Sequence, residues 1–367
     1  MIKNTHFCIL PFYKVIMHNF SAGPCILPQE VFREAASSIL NFNDLDLSLV
    51  EISHRSKDFV AVMDEAIELV KELLAIPEGY SVLFLQGGAS MEFLMVANNL
   101  MTINGKAAYL DTGSWSSKAI KEAKLFGDTI VVASSKDKNY SYIPKDYTIP
   151  SDIDYFHCTS NNTIYGTQIK DFPATDSLVV CDMSSDIFSR KINVSDFDLI
   201  YAGAQKNLGP AGTTLVIVKD EILGRTNRQI PTMLDYQTHI DKGSMFNTPP
   251  VFSIYVSMLT LRWLKKNGGI DWVEKRNLEK ANLIYNCIDK SAIFEGSAAV
   301  EDRSNMNATF LLKEQLLEDT FNKRCLEERI SGLKGHRSVG GYRASMYNAM
   351  PLESVQALVE IMTELEQ

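Results

Sequence analysis

The 367-residue sequence lacks the motifs that mark several common classes of protein. It contains no Cys-x-x-Cys pair and no His-Glu-x-x-His motif, so we expect no bound metal. It has no Gly-x-Gly-x-x-Gly motif at a strand-to-helix turn and no P-loop, which argues against a nicotinamide-dependent dehydrogenase and an ATPase. No apolar run approaches the length that spans a bilayer.

The sequence also has no excess of basic residues and no cluster of cysteines. The formal net charge of −9 argues against a general affinity for nucleic acid or anionic membranes, so any anion site must be local. The six cysteines are scattered, which fits the reducing cytoplasm and argues against a disulfide framework. These cysteines are Cys8, Cys25, Cys158, Cys181, Cys287 and Cys325.

The first 17 residues are mildly apolar. Pro11 and Lys14 interrupt them and no small-residue cleavage site follows, so we do not expect a signal peptide. Met17 stands directly before "HNFSAGP" and is a candidate initiator. We interpret residues 1–17 as an extension or a misplaced start.

Short apolar runs alternate with segments of helical periodicity. Because these runs lack polar alternation, they predict strands that are buried on both faces, in a mostly parallel seven-stranded sheet covered by helices. This is an α/β architecture. The runs lie at 81–86, 107–111, 129–133, 154–159, 177–182, 198–203 and 213–218.

The character of the chain changes after Pro249-Pro250, where longer helical segments begin. A strand is predicted at 307–312, between helical segments and before a glycine-rich stretch and a closing helix. We therefore predict a large domain at 18–262, whose first residues pack toward the other domain, and a smaller α+β domain at 263–367.

Two polar side chains end apolar runs of the predicted sheet. Asp182 ends one run, and Lys206 follows another in the stretch "DLIYAGAQKNLGPAG". A lysine is seldom buried unless it is paired, so Lys206 is either solvated or a reactive amine. The two residues could form a structural ion pair, but Gly203, Gly209 and Gly212 leave space beside the lysine for a bulky group.

These residues match the requirements of pyridoxal 5'-phosphate, which needs an amine, a carboxylate, an aromatic face and a phosphate cradle. We interpret Lys206 as the amine that binds the aldehyde as a Schiff base and moves the substrate's α-proton. Asp182 would keep the ring nitrogen protonated. The turn Gly87-Gly88-Ala89-Ser90 opens a predicted helix and is a candidate cradle, with an ordinary tight turn as the alternative.

Several longer motifs resemble the phosphoserine aminotransferase family, of fold type I and class V. They occur in order from Asn19 to near the C-terminus. The motifs are "NFSAGP", "EISHRSK", "GSWSSKAIKEAK", "IYAGAQKNLGPAG", "GSMFNTPP" and "KGHRSVGGYRASMYNAMP". The resemblance implies a fold-type-I transferase that uses pyridoxal 5'-phosphate.

The resemblance implies roles around the cofactor ring. Lys206 corresponds to the lysine that binds the aldehyde, and Asp182 to the partner of the pyridine nitrogen. Trp115 corresponds to the ring that stacks on the cofactor, although a tryptophan in "GSW" would by itself more often be a packing residue. Thr163 corresponds to the threonine that contacts the polar edge of the cofactor.

The resemblance also implies a phosphate site shared between two subunits. Ala89 and Ser90 correspond to the backbone amides at the start of a helix that hold the cofactor phosphate, and Gln205 to a side chain that reaches it. Asn247 and Thr248 correspond to the pair that reaches the same phosphate from the neighbouring subunit. The implied assembly is a homodimer.

Two His-Arg pairs and one further arginine are the implied substrate-binding residues. His54, Arg55, His336 and Arg337 correspond to the pocket of the substrate phosphate, and Arg343 to the residue that binds the α-carboxylate. Arginine's planar fork suits both anions. Without the resemblance, an exposed His-Arg pair would more often be solvated surface.

The chain departs from the family pattern at two positions. Ser90 stands where some members have an arginine near the substrate phosphate, and Ala22 stands where members often have a serine that contacts the carboxylate. Substrate affinity is therefore expected to be distributed differently, while Lys206 and Asp182 are unaffected.

The implied reaction is a two-stage transamination. Glutamate gives up its amino group and leaves as 2-oxoglutarate, and 3-phosphohydroxypyruvate then becomes phosphoserine. A longer 4-phosphooxy substrate of vitamin B6 synthesis is a plausible second substrate. The alternatives are a cysteine desulfurase, which would need a cysteine in an exposed catalytic loop, and a non-catalytic scaffold, which would not need Lys206, Asp182 and Arg343 together.

Overall fold

A computed structural model describes residues 17–367, so the predicted N-terminal extension lies outside the described residues except for Met17. The helices are α1 (Gln29–Leu40), α2 (Lys57–Leu73), α3 (Gly88–Leu100), α4 (Ser114–Ala123), α5 (Tyr236–Asp241), α6 (Val251–Lys266), α7 (Gly269–Lys290), α8 (Glu318–Glu327) and α9 (Leu352–Glu364). The strands are β1 (His18–Asn19), β2 (Tyr80–Leu85), β3 (Lys106–Asp111), β4 (Asp128–Ser134), β5 (Tyr155–Thr159), β6 (Asn161–Asn162), β7 (Thr167–Gln168), β8 (Val179–Asp182), β9 (Leu199–Gly203), β10 (Thr214–Lys219), β11 (Phe294–Gly296), β12 (Asn307–Leu312), β13 (Ile330–Ser331) and β14 (Tyr342–Ser345).

The large sheet has seven strands in the order β2-β10-β9-β8-β5-β3-β4. Strand β10 is antiparallel to both of its neighbours, and the other neighbouring strands pair in parallel. Each of the seven predicted apolar runs overlaps one of these strands, with ends that differ by no more than two residues. The predicted mostly parallel seven-stranded α/β sheet is therefore confirmed.

Both faces of this sheet are buried, which explains why its strands read as continuous apolar runs. Within β8, Val180 packs in a cluster with side chains from α3 and α4, whereas Cys181 packs in a cluster on the opposite face, with α2 and α6. Burial of both faces leaves the strand ends as the places where polar groups of the sheet can meet a ligand.

A second sheet, of strands β11, β12 and β14, is antiparallel and lies in the C-terminal part of the chain. It shares an apolar cluster with α7, α8 and α9, to which Phe20 also belongs. Strand β13, in the same C-terminal part of the chain, pairs with β1, which is formed by His18–Asn19. The predicted boundary at 262/263 would fall inside α6, and the division into two domains stays a prediction.

The direction of the strands places the candidate site along one edge of the large sheet. Asp182 is the last residue of β8, and Lys206 follows the end of the adjacent parallel strand β9. Strand β2 runs in the same direction as β9, since both are antiparallel to β10, so the start of α3 lies at the same edge. Among residues 17–367, no helix has the length and apolar character needed to cross a membrane.

Candidate active site

Lys206 is held in a tightly packed turn. Its side chain is buried, with 9% of the residue exposed. Its Nζ donates a hydrogen bond to Oγ1 of Thr163 at 2.8 Å, and its backbone oxygen accepts one from Sγ of Cys25 at 2.6 Å. A Cβ added to Gly23 would lie 3.4 Å from Cγ of Lys206, so the "AGP" segment packs directly against the stem of the lysine. The amine is therefore fixed rather than solvated.

The buried setting changes the acidity of the Lys206 amine. Burial is the largest effect and lowers its pKa to about 8. The negative charge of Asp182 opposes this shift, and the positive charge of Arg343 adds to it. A substantial fraction of the amine is therefore neutral, and nucleophilic, near neutral pH.

Asp182 is buried at the end of β8, with 4% of the residue exposed. Burial raises the pKa of its carboxyl group, while hydrogen bonds from Ser184 and the charge of Lys206 oppose that rise. The backbone N–H of Ser184 donates to Oδ1 of Asp182 at 2.9 Å. The carboxyl group and the Lys206 amine thus influence one another in one buried region, as the sequence predicts.

Trp115 lies in the first turn of α4, directly beyond the end of β3. Its ring centroid is 5.7 Å from Nζ of Lys206. Its indole N–H is buried and has no hydrogen-bond partner among residues 17–367. The sequence analysis missed the residue that fixes this turn, Asp111, whose carboxylate accepts hydrogen bonds from Ser116 Oγ at 3.0 Å and Ser117 Oγ at 2.8 Å.

The predicted phosphate cradle lies at the start of α3. Gly87 precedes the helix in the left-handed conformation, with φ of 94°, and provides no side-chain cap. The first-turn N–H groups, including those of Ala89 and Ser90, have no acceptor within the helix and can bind an anion. Gln205 lies in the neighbouring turn, where a Cβ on Gly203 would come within 2.7 Å of its Oε1.

Asn247 and Thr248 lie beside the end of β2. The backbone oxygen of Thr248 accepts a hydrogen bond from Nε2 of Gln86 at 2.9 Å, and Thr248 is exposed. Within residues 17–367, no hydrogen bond joins Asn247 or Thr248 to Lys206 or Thr163. The fold of one chain therefore brings this pair to the sheet edge but does not join it to the amine.

Arg343 lies in β14, opposite Thr309. Its Nε is buried and has no hydrogen-bond partner among the described residues, and its charge lowers the pKa of Lys206. An arginine with a buried, unpaired N–H beside the amine is placed to bind an anionic group of a substrate.

His336 and Arg337 lie in the turn before β14. Burial lowers the pKa of His336, and the charges of Arg343, Arg337 and Lys118 lower it further. Nδ1 of His336 accepts a hydrogen bond from the backbone N–H of Ser338 at 3.2 Å. Val339 packs against the small apolar cluster of Tyr140, Ile164 and Tyr165, against which Trp115 also packs, so this turn and Trp115 border one cluster.

His54 and Arg55 precede α2 and are placed differently. His54 is buried and its Nε2 has no hydrogen-bond partner in the described part of the chain, whereas Arg55 is exposed. No hydrogen bond or ion pair within residues 17–367 joins either side chain to Lys206, His336 or Arg343. The predicted phosphate pocket is therefore only partly assembled within one chain.

Tyr347 is a further residue of the site that the sequence analysis did not use, although it lies in the quoted motif "YRASMYNAMP". Its hydroxyl donates to the backbone oxygen of Ala22 at 2.7 Å and accepts from Nδ2 of Asn307 at 3.3 Å. Burial raises the pKa of this hydroxyl, and Thr163 is among the groups that oppose the rise. Tyr347 therefore joins the N-terminal segment to β12, near the threonine that holds Lys206. An aromatic residue near an arginine carries no distinctive sequence signal, which is why it was missed.

The residues present fit pyridoxal 5'-phosphate. A buried amine, a buried carboxyl group and a tryptophan ring converge, and a helix start without a side-chain cap lies at the same edge of the sheet. The unpaired N–H groups of Trp115 and Arg343 are donors that still require acceptors. This donor set matches an aldehyde, a ring nitrogen and a phosphate better than it matches a metal ion.

The comparison with known families decides the classification. The family model described as aminotransferase class-V matches residues 17–358. The chain belongs to the class-V aminotransferases. Among the relatives of this aminotransferase, the phosphoserine aminotransferase of Flavobacterium psychrophilum is 68% identical over 95% of this chain and 98% of that protein. The enzyme of the same name from Bacteroides fragilis is 59% identical over 95% of this chain and 99% of that protein.

Solved structures agree with this classification. A phosphoserine aminotransferase from Bacillus circulans subsp. alkalophilus superimposes with a TM-score of 0.93 at 46% identity, over 96% of this chain and 98% of that one. The pyridoxal-phosphate-bound enzyme from Trichomonas vaginalis has a TM-score of 0.90 at 35% identity, over 95% and 100% of the two chains. The predicted fold type and family are thereby confirmed, whereas the roles of individual site residues stay predictions.

Proposed function

We propose that this class-V aminotransferase moves an amino group between L-glutamate and 3-phosphohydroxypyruvate, giving 2-oxoglutarate and O-phospho-L-serine in a reversible reaction. Its cofactor is pyridoxal 5'-phosphate. The observation that carries the proposal is the buried Lys206 amine beside Asp182, with Trp115 and Arg343 close to the same amine. The names of relatives that are 57–68% identical over 95% of the chain support the substrate assignment.

When bound, the cofactor supplies an aldehyde that takes up the amino group and a ring that stabilises the electron pair left at the α-carbon. Lys206 would hold the aldehyde, and its neutral Nζ, when free, would take the α-proton of the amino acid. Thr163 holds that nitrogen in place through its Oγ1. Asp182 would keep a proton on the ring nitrogen, because an adjacent carboxylate favours the charged form.

The substrates are recognised through their two anionic ends. Arg343 binds the α-carboxylate with its planar fork, since its charge acts directly on the amine that must reach the α-carbon. His336 and Arg337 bind the phosphate from the turn whose Val339 packs against the same apolar cluster as Trp115. Glutamate carries a second carboxylate where phosphoserine carries its phosphate, so the same cations serve both halves of the reaction.

The enzyme is proposed to act as a homodimer in the cytoplasm. Asn247 and Thr248 lie beside the end of β2, and His54 and Arg55 precede α2; within residues 17–367 no hydrogen bond joins any of the four to Lys206. We assign them to the site of the partner subunit, where Asn247 and Thr248 reach the cofactor phosphate and the His-Arg pair reaches the substrate phosphate. Each active site would then need both chains.

The substrate assignment is tested by comparing phosphoserine with serine. Addition of phosphoserine to the holoenzyme should convert the cofactor's visible absorption at concentrations at least about a hundredfold below those needed for serine. Replacing Arg337 with glutamine should raise KM for phosphoserine about tenfold or more and change KM for serine little. Arg33→Gln, on the exposed side of α1, is the matched control.

Two results would contradict the proposal. A wild-type enzyme that reacts with serine as readily as with phosphoserine would remove the substrate assignment. An equal rise of KM for both amino acids in Arg337→Gln would show that Arg337 does not bind the substrate phosphate, and it would leave the proposed reaction unaffected.

A further inference from the structure

Lys118 is a cation beside the candidate site to which no role has yet been assigned. It lies in α4, three residues after Trp115, and its Nζ is 4.5 Å from the centroid of the Trp115 ring. Nζ of Lys206 is 5.7 Å from the same centroid. Both amines therefore lie beside one aromatic ring. No carboxylate within residues 17–367 forms an ion pair with Lys118, so its charge is available.

The turn that carries His336 and Arg337 faces the same helix. Val339 of this turn and Trp115 of α4 both pack against the small cluster of Tyr140, Ile164 and Tyr165. The charge of Lys118 acts on His336, as do the charges of Arg337 and Arg343. Three cations, from α4, from the turn itself and from β14, thus act on the imidazole of His336 in a protein whose net charge is −9.

A further cation would act selectively in the proposed pocket. A phosphate monoester carries about 1.5 to 2 negative charges near pH 7. Burial and the three neighbouring cations favour the neutral form of His336 in the free enzyme, and Arg343 is engaged by the α-carboxylate. Arg337 is then the one full positive charge that this chain supplies to the phosphate, and Arg55 of the partner subunit is the second in the proposed pocket. A third cation within reach would strengthen the attraction for a phosphate and would have no such effect on the hydroxyl of serine.

We infer that Lys118 binds the substrate phosphate together with His336 and Arg337, and that it favours phosphorylated substrates over unphosphorylated ones; the inference rests on the proposed function. Lysine suits this task because its ammonium is a compact charge on a flexible stem. Lys118 is exposed, so its ammonium can leave the face of the Trp115 ring when a stronger anionic partner arrives.

The experiment compares three holoenzyme variants. Lys118→Gln should raise KM for phosphoserine about tenfold and leave KM for serine and kcat nearly unchanged, because one charged hydrogen bond is lost from the bound state. Lys118→Arg should restore most of the phosphoserine affinity. Lys121→Gln, one turn further along α4 and equally exposed, should behave like wild type.

A second readout does not depend on turnover. The titration of His336, followed by NMR in the holoenzyme and identified with a His336→Gln variant, should shift to higher pH in Lys118→Gln and not in Lys121→Gln. The inhibition constant of inorganic phosphate should rise in parallel with KM for phosphoserine.

The results distinguish a failure of the inference about Lys118 from a failure of the proposed function. If Lys118→Gln equals Lys121→Gln on phosphoserine while the wild type still prefers phosphoserine to serine, the inference about Lys118 is overturned and the proposed function stands. If Lys118→Gln raises KM equally for phosphoserine and for serine, Lys118 acts only by packing on Trp115, which also overturns the inference. If the wild type has no preference for phosphoserine, both proposals fail.

Discussion

Lys206 shows how a single residue is prepared for its chemistry by its surroundings. A solvated lysine is protonated at neutral pH and is a poor nucleophile. Here burial lowers the pKa of the amine to about 8. The hydroxyl of Thr163 holds Nζ in place but is neutral, so it does not raise that pKa again as a close carboxylate would. Asp182 opposes the shift from a neighbouring strand and keeps it from becoming larger.

The lowered pKa of Lys206 predicts the pH dependence of cofactor capture by the cofactor-free protein. Only the neutral amine attacks the aldehyde, so the rate of capture should rise about tenfold per pH unit below pH 8 and level off above it. Rapid-mixing absorbance measurements between pH 6 and pH 10 check this. A rate that keeps rising toward pH 10.5, the ordinary value for lysine, would show that the amine is solvated.

At the scale of single residues, the sequence indicates functional side chains that are charged where their neighbours are apolar. Lys206 and Asp182 stand out because each is a charged residue at the end of an apolar run, and the structure places them in one buried region. Asp111 also ends an apolar run, but nothing in that pattern shows that its carboxylate accepts hydrogen bonds from the turn that carries Trp115. Tyr347 and Lys118 do not stand out, because their importance comes from the side chains that they contact in the folded chain. Spacing along the chain cannot predict such contacts.

At the scale of secondary structure, the start of α3 is the element on which cofactor affinity depends most. Gly87 is needed there for two reasons, its φ of 94° and the close approach of α3 itself. A Cβ at Gly87 would lie 2.4 Å from Cβ of Met91, which is too close for any real contact. The first turn of the helix would therefore have to move, and its N–H groups with it.

Gly87→Ala should weaken cofactor binding by about tenfold or more, since the cradle must shift to relieve the clash with Met91. Equilibrium dialysis of the cofactor phosphate ester measures this directly. Gly79→Ala is a matched control, because Gly79 also has a positive φ, of 84°, but its added Cβ would meet nothing within 4 Å. Equal losses in both variants would show that backbone strain alone, and not the cradle, is responsible.

The sequence predicts the existence of elements better than their directions and distant pairings. The apolar run that became β10 is as continuous as those of its neighbours, yet β10 is antiparallel to both of them. Burial on both faces produces the same pattern in either direction, so periodicity does not distinguish them. Likewise, nothing local in His18–Asn19 predicts the pairing of β1 with β13, more than 300 residues away.

At the scale of the whole molecule, our proposal divides the active site between two chains. Lys206, Trp115 and Arg343 come together within one chain, whereas Asn247 and Thr248 lie beside Gln86 at the sheet edge. Shared sites of this kind make activity depend on assembly. The dependence can be tested by mixing two inactive variants.

A Lys206→Ala protein and an Asn247→Ala/Thr248→Ala protein should each be nearly inactive alone. In mixed dimers, one of the two sites receives an intact Lys206 from one chain and an intact Asn247-Thr248 pair from the other, so activity should return toward about half of the wild-type rate per mixed dimer. Assays after unfolding and joint refolding measure the recovery. No recovery in mixtures whose mixed dimers are verified by mass would place the Asn-Thr pair in its own chain's site.

The central claim is that Lys206 is the amine that binds the cofactor, and one measurement tests it most directly. Borohydride reduction of the holoenzyme makes the bond between amine and cofactor permanent, and mass spectrometry of the digested protein then locates the added mass. We predict a single modified residue, Lys206. Lys280 is the informative competitor, because it is also buried, its pKa is lowered to about 7 by burial, and its Nζ donates to the backbone oxygens of Met346 and Tyr347. Cofactor mass on Lys280 or any other lysine, with Lys206 unmodified, would contradict the account.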